Sequence, residues 1–209
     1  MEPDGTSVVV GVTLIVGLAV FLVGAGGWRL GYDRPLAEAL PLIHAEPRRR
    51  AWIHLWMIPA LFITSAGLAG LITLAPGAAA VALTTMAATV YALGAVCWIA
   101  SLAFRLTVVP WGAERAVEDG EPPGVFVALD RWAGSLYVVH MASAYASFAL
   151  AGAAVLAWGE LPGWAGWLGV GWGVGFLVGF VATRFSGPFN PPAWAHTYTA
   201  LLGVVLVTT

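Results

Sequence analysis

The chain has 209 residues, 60% hydrophobic and only 10% charged, with nine basic residues, eleven acidic ones and a net charge of −2. A soluble domain carries roughly a quarter charged residues, so the composition excludes a water-soluble fold, and its hydrophobicity excludes intrinsic disorder. All nine basic residues are arginine, which removes Schiff-base chemistry; there is no basic excess for nucleic acid, and the lone Cys97 supports neither an internal disulfide nor a Cys-x-x-Cys pair.

A membrane helix needs about 20 mostly apolar residues at ~1.5 Å each to cross a hydrocarbon core of roughly 30 Å. Six stretches meet or approach that length: 8–28, 51–74, 78–104, 132–158, 164–183 and 191–209. They predict an all-α fold, a polytopic six-transmembrane-helix bundle in which residues 1–209 form a single transmembrane domain. None of the six holds an acidic residue in its interior. The first is read as a retained helix, because its n-region (Met1-Glu-Pro-Asp-Gly) is acidic and its apolar run is too long for a secretory signal.

The connections sort by charge. The loop 29–50 carries Arg29, Arg34, Arg48, Arg49 and Arg50. The loop 105–131 carries Arg105, Arg115 and Arg131, and Arg184 lies between the last two spans. The opposite side has Glu2, Asp4 and Glu160 and no basic residue. By the positive-inside rule the arginine loops are cytoplasmic and both termini are on the outer side. The Lys-free, Ala/Gly/Arg-rich composition points to a prokaryotic inner membrane.

The short outer turns, Ala75-Pro76-Gly77 and 159–163, predict helical hairpins from spans two and three and from spans four and five. In the loop 105–131, an acidic cluster (Glu114, Glu118, Asp119, Glu121) precedes Pro122-Pro123-Gly124, and 125–129 is expected to lie along the interface as a short amphipathic segment. Pro59 is expected to kink span two. In span five, Gly171-x-x-x-Gly175 and Gly175-x-x-x-Gly179 are small-residue faces that predict close helix approach, within the chain or across a homo-oligomer. Most of the eleven Trp fall near span ends, as interfacial anchors do. Trp56, Trp98, Trp167 and Trp172 lie deeper and are placed to pack helices or line a pocket.

The informative polar residues are His54, His140 and His196, one each on spans two, four and six. His44 lies in a loop and reads as solvent-facing. Counted from the arginines or prolines that start each helix, His54 and His196 sit ~6 Å inside and His140 ~13 Å inside. All three are therefore expected near one another in the cytoplasmic half. Ala51-Trp52-Ile53-His54 and Ala193-Trp194-Ala195-His196 repeat an Ala-Trp-x-His pattern, of the kind a two-helix duplication would leave. An ionisable residue inside a span is expensive and is by default a functional-site hypothesis. Neutral imidazole is a common transition-metal ligand, and two on facing helices suit haem iron.

The leading expectation is a haem- or metal-binding membrane protein for electron transfer or sensing. Its cofactor is haem b, otherwise a transition metal or none. His54, His140 and His196 are the ligands, with Trp56 and Tyr137 also lining the site. Tyr137, Ser143 and Ser147 share the His140 face, and Thr199 and Gly203 extend the His196 face; these hydroxyls are candidates to orient the imidazoles. Cys97 is close enough in sequence depth to approach the cluster. Two other classes stay open. One is a non-enzymatic subunit of a larger membrane complex or a carrier of quinone or another lipid-soluble ligand; the other is an intramembrane enzyme acting on a lipid or quinone. In each, the lipid bilayer is the surrounding partner.

Overall fold

A computed structural model describes residues 5–209. The acidic segment before them, with Glu2 and Asp4, lies outside the described residues. Within them the chain is entirely helical: α1 (Gly5–Ala25), a single 3-10 turn (Leu30–Asp33), α2 (Leu36–Ala45), α3 (Pro47–Leu74), α4 (Gly77–Asp119), α5 (Gly124–Trp158), α6 (Gly163–Ala182), a second 3-10 turn (Gly187–Phe189) and α7 (Trp194–Thr208). Five of these, α1 and α3–α6, are long and apolar enough to cross a membrane. At 15 residues, or ~22 Å of rise, α7 is short of a full crossing.

Glycines set the helix spacing where backbones meet. In the α1–α3 pair, Gly67 takes the Leu14 side chain and Gly24 lies against the Ile53 carbonyl. Gly11 of α1 and Gly203 of α7 face each other's carbonyl oxygens, and Gly152 of α5 lies against the Gly166 carbonyl and the Val170 nitrogen of α6. Between α4 and α5, Gly94 meets Ser143, and the Ser147 hydroxyl donates to the Ala87 carbonyl at 2.8 Å. The core formed this way is dominated by Ala, Leu and aromatic rings.

One expectation about this architecture is corrected. The stretch 105–131 is not a loop. It continues α4 to Asp119 and begins α5 at Gly124, so α4 alone has 43 residues, ~65 Å of helix. Charged residues such as Glu114, Arg115 and Glu118 are good helix formers in water, and Arg115 pairs with Glu118 at 2.9 Å. The helix stops only at Gly120, which takes the left-handed φ of 82° before Pro122 and Pro123. The segment 125–129 is accordingly the first turn of α5 rather than an interfacial strip. Phe126 is fully buried, stacked on Phe104 and seated over Gly112.

The glycines of α6 fall on two sides, and the close approach expected at Gly171 and Gly175 is not made within the chain. Gly166, Gly169 and Gly173 face α5 and α7, whereas a side chain added at Gly171 or Gly175 would meet nothing within 4 Å. Gly179 is covered by the Phe189 ring. Trp167, read as a packing residue, is 68% exposed on the outer face of α6.

The short helix α2 went unpredicted, although Leu36, Leu40 and Ile43 follow helical spacing; it packs on α4. At this end of the bundle Arg29 pairs with Glu46 at 2.8 Å, and Arg49 Nε donates to the Gly27 carbonyl at 2.6 Å. Arg34 of the first connection, Arg105 of α4 and Asp130 of α5 line one cavity together with Arg50.

Candidate functional site

The histidines divide into a pair and a singleton. His140 of α5 and His196 of α7 are both fully buried, and both meet the Tyr91 ring edge-on, with centroids at 5.8 and 6.5 Å. Trp98 stacks on His140 at 4.7 Å, Phe21 stacks on His196 at 4.8 Å, and Phe21 and Trp98 are 6.4 Å apart. The two imidazoles thus sit in an aromatic shell built from α1, α4, α5 and α7.

Their polar contacts are few. His196 Nδ1 shares a hydrogen bond with Thr64 Oγ1 at 3.0 Å and a longer one with the Tyr91 hydroxyl at 3.4 Å. His196 Nε2 and both ring nitrogens of His140 are buried with no hydrogen-bond partner among the described residues. The Gly94 backbone comes near enough to His140 to interact electrostatically without hydrogen-bond geometry. Three orphaned imidazole nitrogens in one apolar shell are unusual, because each buried polar group left unpaired costs about 1–3 kcal/mol.

His54 is elsewhere. It is buried on α3 with Nδ1 unpartnered, one turn from Arg50. Thr64, which reaches His196, lies ten residues further along the same helix, ~15 Å of rise. The expectation that His54 and His196 share a depth is therefore corrected, and the reason is the linker before α7. After α6 the chain reverses through left-handed Arg184 (φ 52°) and Phe185 (φ 63°), with the Phe185 amide donating back to the Phe180 carbonyl at 2.8 Å. It then folds back into the bundle. The Tyr145 hydroxyl donates to the Phe189 carbonyl at 2.6 Å, and the Tyr137 hydroxyl donates to the Asn190 carbonyl. Tyr145 lies fourteen residues beyond Arg131 on α5, ~21 Å of rise. Even leaning back toward the helix start, it meets the linker well inside the arginine-bearing end. Thus α7 begins deep in the bundle, and His196 is level with Thr64 and His140 rather than with the helix starts. The two Ala-Trp-x-His copies occupy unlike places.

The remaining expected residues separate along the same lines. Tyr137 joins the site at one remove, through Trp98 at 5.6 Å. Trp56 packs against Trp52 at 5.3 Å and beside Gly24, away from the pair. Ser143 and Ser147 serve the α4–α5 contact, and the Thr199 hydroxyl donates to the His196 carbonyl rather than to a ring. Cys97 is a free, half-buried thiol. Among the described residues no three His, Cys, Asp or Glu side chains come together as a metal-holding group.

Thr64, Tyr91 and Phe21, which surround the pair, were missed. The signal was present for Tyr91, since Tyr91 and Trp98 stand seven residues apart on one face of α4.

The donor set can be tested against both cofactors. A porphyrin needs a slot between helices, whereas the imidazoles are wrapped by Phe21, Tyr91 and Trp98, and the cavities at the arginine end touch neither histidine. Haem b does not fit this packing. A single ion needs no slot, and unpartnered imidazole nitrogens are donors of the kind a transition metal takes. Comparison with protein families, with curated protein sequences and with solved structures finds no match.

Proposed function

We propose that this is an integral membrane protein whose His140–His196 pair holds one transition-metal ion for electron transfer or metal sensing. One observation carries the reading: His196 is anchored through Nδ1 to Thr64, while its Nε2 and both His140 nitrogens are left without partners in a closed apolar shell. Metal-bound histidines characteristically donate the second ring N–H to a neighbour, which fixes the tautomer and aims the free lone pair. With the proton on Nδ1 facing Thr64, His196 Nε2 is in that condition.

Imidazole suits iron, copper, nickel and zinc. With no carboxylate or thiolate grouped with the pair among the described residues, the charge of the ion stays uncompensated, and burying charge in a low-dielectric interior is costly. A singly charged ion, cuprous copper, is the form this donor set favours. When bound, such an ion supplies one-electron chemistry; the chain's own part is to hold two imidazoles at fixed depth and to exclude water with Phe21, Tyr91 and Trp98.

The finer topology belongs to the same proposal. The α6–α7 linker and α7 together make a sixth crossing, with both termini outside and the arginine end cytoplasmic in a prokaryotic inner membrane. The gathering of Arg29, Arg49, Arg50 and Arg105 at one end supports that orientation. Irregular backbone at membrane depth is tolerated where protein satisfies it, and Tyr137 and Tyr145 do so for the linker.

The test is elemental analysis and copper titration of the detergent-purified chain, with His140→Ala and His196→Ala beside it. Binding lost in both variants supports the pair. A metal-free, colourless protein that takes up no copper redirects the reading to a membrane subunit or a carrier of a lipid-soluble ligand.

A further inference from the structure

The arginine-bearing end carries a second cluster that the histidine pair does not use. Arg50, near the start of α3, is 6% exposed, and its Nε and Nη1 are buried without a hydrogen-bond partner. Its guanidinium lies 4.5 Å from the Tyr32 ring centroid and 5.2 Å from that of Trp28, so one side is covered by aromatic rings. The neighbouring arginines are occupied, Arg29 by Glu46 and Arg49 by the Gly27 carbonyl. Asp33 and Asp130 act on Arg50 from a distance, and among the described residues no carboxylate comes within ion-pairing range of it. Arg105 of α4 is close enough to repel it.

Between these two arginines opens a cavity of about 320 Å³, lined also by His44, Pro47, Trp111 and Glu114. Ile43 and His44 from the last turn of α2 line it together with Pro47 at the start of α3, so the opposed helix ends offset one another there. Two like charges crowd together, and the buried one is unpaired. An anion in the cavity offsets both charges at once. Guanidinium forks match phosphate oxygens in a bidentate manner. Glu114 is exposed at the edge; its carboxylate opposes further negative charge, which limits the ligand to one phosphate group.

The geometry points to a phosphate-binding site in the Arg50–Arg105 cavity, serving either a phospholipid headgroup or a free phosphate. Trp28 and Trp111 stand beside it as reporters. The full chain, purified in neutral detergent at constant ionic strength, is titrated separately with inorganic phosphate and with short-chain phosphatidylglycerol, with chloride as control, following Trp fluorescence. Saturable binding is expected, weakened roughly tenfold or more in Arg105→Gln, since removing one charge-assisted partner is worth at least that factor. Saturation by the lipid alone identifies a headgroup site; saturation by both at similar concentrations identifies a site for free phosphate. No saturable response to either, or unchanged affinity in Arg105→Gln, overturns the assignment. Arg50→Gln is the companion variant, and because Arg105 is only half-buried its substitution keeps the test decisive if Arg50→Gln fails to fold.

Discussion

Replacing Gly152 by alanine should loosen the α5–α6 seam. A Cβ at residue 152 would lie 2.5 Å from the Gly166 carbonyl oxygen and 2.5 Å from the Val170 nitrogen. Both are backbone atoms of α6, so no side-chain rotation relieves the contact. Carbon contacts are comfortable at roughly 3.5–4.0 Å, and the helices must therefore part by about 1 Å along a seam that also seats Gly169 beneath Tyr198 and Gly173 against the Tyr145 carbonyl. Overpacking of this kind costs ~1–3 kcal/mol. At this chain length each kcal/mol moves the midpoint by ~2–4 °C, so Tm should fall by roughly 2–12 °C. The control is Gly171→Ala on the outer face of α6, where a Cβ meets nothing within 4 Å; its Tm should stay at or slightly above wild type. Thermal unfolding in detergent, followed by Trp fluorescence, reads both. Equal midpoints for the two variants, or a lower one for Gly171→Ala, would refute the packing reasoning.

Thr64→Val removes the 3.0 Å hydrogen bond to His196 Nδ1 and should destabilise the chain by about 1–3 kcal/mol while weakening any copper binding; a neutral effect on both in the same melts and titrations would mean that Thr64 does not orient the ring. Tyr145→Phe frees the Phe189 carbonyl, and trypsin should then cut faster at the exposed Arg184, a rate that gel-based limited proteolysis measures directly. His54→Ala should leave copper stoichiometry unchanged, because His54 lies ~15 Å of helix rise from the Thr64 level of α3; loss of metal in that variant would return His54 to the site.

Apolar length made the long helices legible in the sequence, and 47–74, 77–104 and 163–182 lie close to where hydropathy puts them. Hydropathy separates lipid from water, not helix from loop. For that reason the charged 105–119 stretch, built of good helix formers, read as a loop although α4 runs through it. His140 was legible because α5 is regular from Arg131 onward, so counting residues measures depth. His196 was not, because counting assumes that a helix starts at the bundle's edge. The left-handed turn at Arg184 and Phe185 and the tyrosine-held linker carbonyls invalidate that assumption. Thr64 gave a weak signal because a threonine hydroxyl in an apolar helix usually satisfies itself locally, as Thr84 does on the Ala80 carbonyl. The Tyr91 hydroxyl reaches beyond its own helix to a partner that α4 alone does not reveal. Only the packing of α3 and α4 against α7 turns them toward an imidazole.

The most direct test of a metal-holding histidine pair is copper stoichiometry by elemental analysis after anaerobic loading and desalting, compared between the unmodified chain, His140→Ala, His196→Ala and His54→Ala. One ion per chain retained by the unmodified protein and by His54→Ala, and lost from the other two, is the expected pattern. Equal retention in all four, or none in the unmodified protein, would contradict it.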